Sequence, residues 1–341
     1  MTWATGQKLH RDKYEIKQEL GRGRIAITYL ATNRDNLNVV IKTLNPDVLN
    51  QLTLQDRNYL ESGFADEAPK LARCAHANIV RVIETFKEGD LLCIVIEYIH
   101  GNNLANIVKA RKFLPEQEAI DYIQQIGQAL IEVHKQGFLH RDVKPENIMV
   151  RAGTTQAVLI DFDLARGFDN PLTSRGARVD GFTPIELYFN SAKRQSQRGA
   201  WTDVYSLAAT LYVLLTGQQP VSATDRKDQS KRLIEPLELN NQISDRLNKA
   251  IIHGMQLEPE KRPQTVDDWL KELGLKTRSF TFPKLLWAQP LWAVILEIMG
   301  VLALFAALIS GIKDGTDLLK DWFPNQPPTL NHSTPNQQQN R

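Results

Sequence analysis

The stretch His140-Arg141-Asp142-Val143-Lys144-Pro145-Glu146-Asn147 constrains this chain more than any other. It sets a carboxylate, a cation and an amide within one short loop. An apolar run, Ile148 to Val150, follows it. A turn at Gly153 comes next, then a second apolar run, Ala157 to Ile160, and then Asp161. Short apolar runs bounded by turn residues read as buried strands. Two acids, Asp142 and Asp161, therefore stand near strand ends with a Lys and an Asn beside them. A charged surface turn would explain the first eight residues alone, but not their partners upstream and downstream.

This combination suits phosphoryl transfer, with one acid for an incoming hydroxyl and one for a divalent metal. The spacing matches H-R-D-x-x-x-x-N at every fixed position. On these residues the chain resembles the eukaryotic-type (Hanks-type) protein kinases, and Lys144-Pro145-Glu146-Asn147 resembles their Ser/Thr branch. The resemblance covers about Tyr14 to Leu275. It implies an α+β, bilobal fold, with a β-rich N-lobe and a helical C-lobe.

Upstream, Tyr14 to Leu20 and Ile27 to Leu30 read as strands around Gly21-Arg22-Gly23-Arg24-Ile25-Ala26. Backbone amides can approach phosphates closely where no side chain intervenes, although glycines beside strands are usually just turns. Val39-Val40-Ile41-Lys42 ends an apolar strand on a Lys that would ordinarily snorkel to solvent. The resemblance instead sets Lys42 on the α- and β-phosphates of ATP, held by Glu67, with Asp66 as the fallback. Pro69 removes a helical donor, so the helix around Glu67 is expected to bend or start late. Glu97-Tyr98-Ile99 resembles the hinge, with backbone of Glu97 and Ile99 on the adenine and Ile96 as gatekeeper. Gly21, Gly23, Thr28, Val40 and Met149 complete the nucleotide site that the resemblance implies.

In the second half, Ala119, Ile120, Ile123, Ile126, Ala129, Leu130 and Val133 fall on one face of a helix over Glu116 to Gln136. By resemblance Asp142 is the catalytic base and Lys144 neutralises the transferring phosphoryl. Asn147 and Asp161 hold Mg²⁺, with Mn²⁺ as a substitute, because an amide and a carboxylate supply hard oxygen ligands. Glu186 in Pro184-Ile185-Glu186 is expected to pair with Arg262, and Asp203 to brace the catalytic loop. Ser206 to Thr216, Ile243 to Leu257 and Val266 to Leu273 read as helices. The chain departs from the family pattern at Ala26, Thr28, Val40, Asp163 and Val179. Thr183 is an alternative to Val179 for the hydroxyl that the family keeps near the catalytic Asp.

A net charge of +2 gives no case for nucleic acid as a partner. Cys74 and Cys93 fit no metal spacing and point to a reducing compartment. The polar start of the chain offers no cleaved signal. Leu291 to Ile312 carries a single charge, Glu297, over 22 residues, and about 20 apolar residues cross a bilayer as a helix. The expected organisation is a kinase domain over 14–275, a juxtamembrane linker over 276–290, a transmembrane helix over 291–312 and a disordered polar tail over 313–341. The basic residues Lys276, Arg278 and Lys284 put the N-terminal side in the cytoplasm.

The reading is a membrane-anchored, ATP-dependent Ser/Thr protein kinase acting on protein substrates. A homodimer would serve autophosphorylation, and the bilayer is engaged through 291–312. A pseudokinase scaffold that binds ATP without transfer is the alternative.

Overall fold

The computed structural model describes residues 3–23, 25–161, 181–188 and 198–275, the side chains of Glu67 and Lys70 excepted. The expected transmembrane helix at 291–312, its linker and its tail lie outside the described residues. So do Asp163 and Val179. Among the described residues no helix is long and apolar enough to cross a membrane.

The N-lobe is an antiparallel sheet in the order β1-β2-β3-β4-β6-β5. Its strands are β1 (Lys8–Leu9), β2 (Tyr14–Arg22), β3 (Ala26–Asn33), β4 (Asn38–Leu44), β5 (Val82–Glu88) and β6 (Leu91–Glu97). Side chains alternate across a strand, and this decides what each face does. On β4, Val39 and Ile41 enter a core with Ile16, Tyr29 and Val95. Val40 and Lys42 therefore turn to the other face. The register pairs Lys42 with Thr28 and Ile94, and Val40 with Ile96, so these five side chains share one surface.

Helix α1 (Pro46–Leu49) and helix α2 (Leu54–Arg73) lie between β4 and β5. Thr53 caps α2, accepting from the Asp56 amide at 3.2 Å. The late start expected for this helix is corrected: it begins thirteen residues before Glu67 and runs through Pro69. Pro69 leaves the Ala65 carbonyl without its helical donor, and both residues are exposed, so that carbonyl faces solvent. Leu60, Phe64 and Ala68 bury one face of α2 against Leu44, Leu49 and Ile94.

The C-lobe is helical around a small sheet of β7 (Gly101–Asn103), β8 (Ile148–Arg151) and β9 (Ala157–Leu159). Its helices are α3 (Leu104–Arg111), α4 (Glu116–Lys135), α5 (Ala200–Thr216), α6 (Ala223–Lys227), α7 (Pro236–Leu239), α8 (Asp245–Gly254) and α9 (Val266–Glu272). The apolar face read for α4 is buried throughout, and each such Ile, Leu or Val contributes roughly 1.5–3 kcal/mol. Helix α5 starts at Ala200, earlier than its hydrophobic run indicates, because Thr202 and Asp203 are buried polar residues with partners. Gly127 lets α4 approach α9 closely, since a Cβ there would meet Leu270 Cδ1 at 2.8 Å.

The lobes are joined by backbone as well as by the hinge. The Val80 amide donates to the Leu159 carbonyl at 3.0 Å, and the Leu159 amide to the Asn78 carbonyl at 2.8 Å. The Asn78 side chain donates to the Ala157 carbonyl at 2.6 Å. The core of the C-lobe accordingly extends up through Ile79 and Val80 to Leu71 on α2.

Candidate active site

A cleft of about 280 Å³ lies between the sheet and the C-lobe. The shared surface of Thr28, Val40, Lys42, Ile94 and Ile96 is its roof, Met149 and Ile160 are on the C-lobe side, and Glu97 to Ile99 close it at the hinge. Of the residues assigned to a nucleotide from sequence, Gly21, Thr28, Val40, Lys42, Glu97, Ile99 and Met149 line this cleft. Gly23 does not line it; its amide is turned to the Ala26 carbonyl at 2.9 Å, closing the hairpin between β2 and β3. Glu67 belongs to α2, but its side chain lies outside the described residues. Leu20, Val80, Ile94 and Ile160 also line the cleft and were not assigned from sequence. The alternation of β6 carried the signal for Ile94, because it shares a face with Ile96.

At the hinge, the Glu97 amide donates to the Arg81 carbonyl at 3.0 Å, so it is already committed within the protein. The Glu97 carboxylate accepts from the Arg81 amide at 3.0 Å and from Arg151 Nη2 at 2.9 Å. One carboxylate thus holds the end of β6 to β8 across the lobes, a role not foreseen from its hinge position.

Asp142, Lys144 and Asn147 form one hydrogen-bonded group. Lys144 Nζ donates to both Asp142 carboxylate oxygens at 2.8 Å. Asn147 Nδ2 donates to Asp142 Oδ2 at 2.8 Å and to its backbone carbonyl at 2.9 Å. The carboxylate orientation is therefore fixed from two sides.

The loop carrying this group is braced from beneath. Arg141 has a left-handed backbone, φ 66°, a conformation costing about 1–3 kcal/mol for such a residue. The buried Asp203 carboxylate accepts from the amides of Arg141 at 2.7 Å and His140 at 2.9 Å, and binds His134 Nε2 at 2.7 Å. Burial pushes the Asp203 carboxyl up, but the His134 hydrogen bond and the nearby charge outweigh it and hold the group below the usual carboxylate range.

Asp161 meets Lys42 Nζ at 2.7 Å. The positive charge of Lys42 is the leading cause that holds the Asp161 carboxyl below its ordinary range. The Ile160 amide donates to the Asn147 carbonyl at 2.9 Å, which sets Asp161 and Asn147 side by side at the end of the β8–β9 hairpin.

These residues fit a divalent cation. The Asn147 amide nitrogen is spent on Asp142, which leaves Oδ1 as its available atom, and Asp161 keeps a second carboxylate oxygen beyond the one on Lys42. Both are hard oxygen donors of the kind that Mg²⁺ takes alongside phosphate oxygens.

Below the site, Arg262 and Glu186 form a two-pronged ion pair at 2.7 and 3.0 Å, both side chains fully buried. Arg262 also donates to the carbonyls of Gln256 and Leu257, and Thr202 Oγ1 donates to Glu186. The pairing expected from sequence is present.

A two-lobed domain with a cleft under a β-sheet, a Lys on its roof and a braced Asp–Lys–Asn group at its mouth defines the protein kinase class. The protein kinase domain family matches residues 14–273, and the chain belongs to this family. Curated relatives are serine/threonine-protein kinases. One, described as probable, in Clostridium acetobutylicum, is 32% identical over 77% of this chain and 40% of its own length. PknB of Mycobacterium leprae is 33% identical over 77% of this chain and 42% of its own length. The chain spans about two fifths of the length of these bacterial relatives. Among solved structures, the apo form of PpkA-294 matches with a TM-score of 0.63 and 25% identity, covering 80% of this chain and 99% of that one. Rad53 1–466 in complex with AMP-PNP matches in fold, with a TM-score of 0.62 and 22% identity, over 77% of this chain and 65% of that one.

Proposed function

We propose that this chain is an ATP-dependent protein kinase that phosphorylates Ser or Thr hydroxyls on protein substrates. The observation that carries the reading is the Asp142 carboxylate, fixed by Lys144 and Asn147 at 2.8 Å beside the cleft that holds Lys42 and Asp161. An acceptor hydroxyl donates its proton to Asp142 as its oxygen bonds to the γ-phosphorus. The bond between that phosphorus and the oxygen of the leaving ADP breaks in the same transfer. Lys144 Nζ gives two of its three N–H donors to Asp142 and keeps the third, with its charge, for the moving phosphoryl. Lys42 exchanges Asp161 for the α- and β-phosphates. Asn147 Oδ1 and Asp161 would hold a divalent cation, Mg²⁺ or Mn²⁺, which would supply charge neutralisation for the phosphate oxygens. The apolar roof of Val40, Ile94 and Ile96 suits the adenine face, and the backbone of Ile99 is the hinge contact.

The chain is further proposed to be membrane-anchored. The support is the sequence of 291–312, 22 residues with one charge, long enough to cross a hydrocarbon core, with its catalytic domain on the cytoplasmic side. Self-association at the membrane would serve autophosphorylation.

The test is transfer of labelled γ-phosphate by the full chain to itself and to a generic protein, with Mg²⁺, with Mn²⁺ and with a chelator. Metal-dependent label on Ser or Thr supports the reading. ATP binding without any transfer favours the scaffold alternative. Flotation of the same chain with lipid vesicles, resistant to alkaline extraction, tests the anchor; recovery in the soluble fraction removes it.

A further inference from the structure

A second cavity, of about 470 Å³, lies beside the catalytic turn on the C-lobe. Its lining brings together three parts of the chain. Val108, Phe182 and Val213 give an apolar floor, Lys109 and Lys112 stand at the end of α3, and Glu146 comes from the turn after Lys144.

The two lysines are exposed and make no ion pair among the described residues. Arg111 between them is already spent on Glu118, with contacts of 2.7 and 2.8 Å. Cations in the last turn of a helix complement its dipole, and that role accounts for Lys109 and Arg111. It does not account for Lys112, which lies past the helix in a left-handed conformation, φ 72°. Lys112 is also held in place from behind. A Cβ at Gly217 would come within 1.9 Å of the Lys112 carbonyl oxygen, so only glycine lets the end of α5 approach so closely. The Leu114 amide donates to the Leu214 carbonyl at 2.7 Å and ties down the next turn.

Pro145 and Glu146, in the cavity wall, stand between Lys144 and Asn147, both of which bond Asp142, so the cavity lies beside the turn that presents the catalytic carboxylate. Extended chain advances about 3.3–3.6 Å per residue, so neighbours within a few positions of the acceptor reach a cavity whose wall includes Pro145 and Glu146. Among the described residues, two lysines against one glutamate make the rim positive.

We propose that this cavity is a substrate subsite that selects acidic side chains close to the acceptor Ser or Thr, with Lys109 and Lys112 as the specificity-determining residues. The proposal rests on the protein kinase reading and adds the substrate class. Carboxylates on the peptide pair with the two ammonium groups, while apolar atoms beside them cover Val108 and Phe182. Glu146 works against the selection and limits its strength.

The test uses the full chain and three fluorescent Ser peptides, flanked by Asp, by Ala or by Arg. Binding is followed by anisotropy, and phosphotransfer to the same peptides in parallel. Each exposed ion pair is worth roughly a two- to fivefold preference. The Asp-flanked peptide is therefore expected to bind about tenfold tighter than the Arg-flanked one, and Lys109→Glu/Lys112→Glu to reverse that order. Equal thermal midpoints for the variant and the parent chain establish that folding is intact. A wild-type preference for the Arg-flanked peptide, or an unchanged order in the double variant, overturns the subsite. Tight, lysine-dependent binding of the Asp-flanked peptide with no transfer to any peptide would uphold the subsite and count against catalysis.

Discussion

Lys42 and Asp161 meet at 2.7 Å although 119 positions separate them. One is on the sheet of the N-lobe and the other ends the β9 region of the C-lobe. The pair therefore closes the cleft and sets the spacing between the residue read as a phosphate ligand and the one read as a metal ligand. It also leaves each charge compensated before any nucleotide enters.

Lys42→Met removes the phosphate partner and leaves the apolar stem, so the roof keeps its shape. Loss of one well-placed charge-stabilising donor typically costs 10²–10³ in rate. We expect a loss of about that size in kcat/KM for ATP, with the fold intact by circular dichroism. A variant within about threefold of the parent chain would show that Lys42 serves only to hold Asp161.

The Glu186–Arg262 pair makes a different prediction, because it lies beneath the site and touches no substrate. Breaking a buried pair from one side strands the other charge and costs about 3–5 kcal/mol. Arg262→Met is expected to lose about that much in urea unfolding. Arg262→Met with Glu186→Leu is expected to recover a large part of it, since no charge then remains buried. A double variant as unstable as the single one would mean that the carbonyl contacts of Arg262 matter more than the ion pair.

His76 connects stability to pH. Its Nδ1 accepts from the Asn78 amide at 3.1 Å, which requires the neutral ring at that atom. Burial, the largest cause, holds the His76 pKa below the ordinary histidine value of 6.5. The unfolded chain therefore binds more protons than the folded one between the two values. The contribution of His76 is fully present above about pH 6.5 and is lost as pH falls toward the folded value. Thermal midpoints from pH 7.5 to 5 should decline in the parent chain and decline less in His76→Gln. Parallel curves would remove His76 as the cause.

Much of the site was legible in sequence because its groups lie in short, contiguous strings. Asp142, Lys144 and Asn147 belong to one loop, and a strand's alternation alone puts Val40 and Lys42 on one face. What was not legible came from tertiary contact. Nothing local indicates that the Glu97 carboxylate bonds Arg151, 54 positions away. Helix α2 was misjudged in another way. Pro69 was expected to bend the helix or delay its start, but Thr53 caps a start at Leu54 and the helix runs through Pro69 to Arg73. The Arg262–Glu186 pair was foreseen only through the family resemblance, since a separation of 76 positions leaves no local signal.

Asp142→Asn tests the central claim most directly. The substitution keeps the side-chain shape and removes the proton acceptor while leaving Lys42 and Asp161 in place. Positioned general bases contribute typically 10²–10⁴-fold. Single-turnover transfer of labelled γ-phosphate to a Ser peptide should fall by that factor, with ATP affinity within a few fold of the parent chain. Transfer by the variant at the parent rate would contradict the assignment of Asp142 and with it the reading of the site.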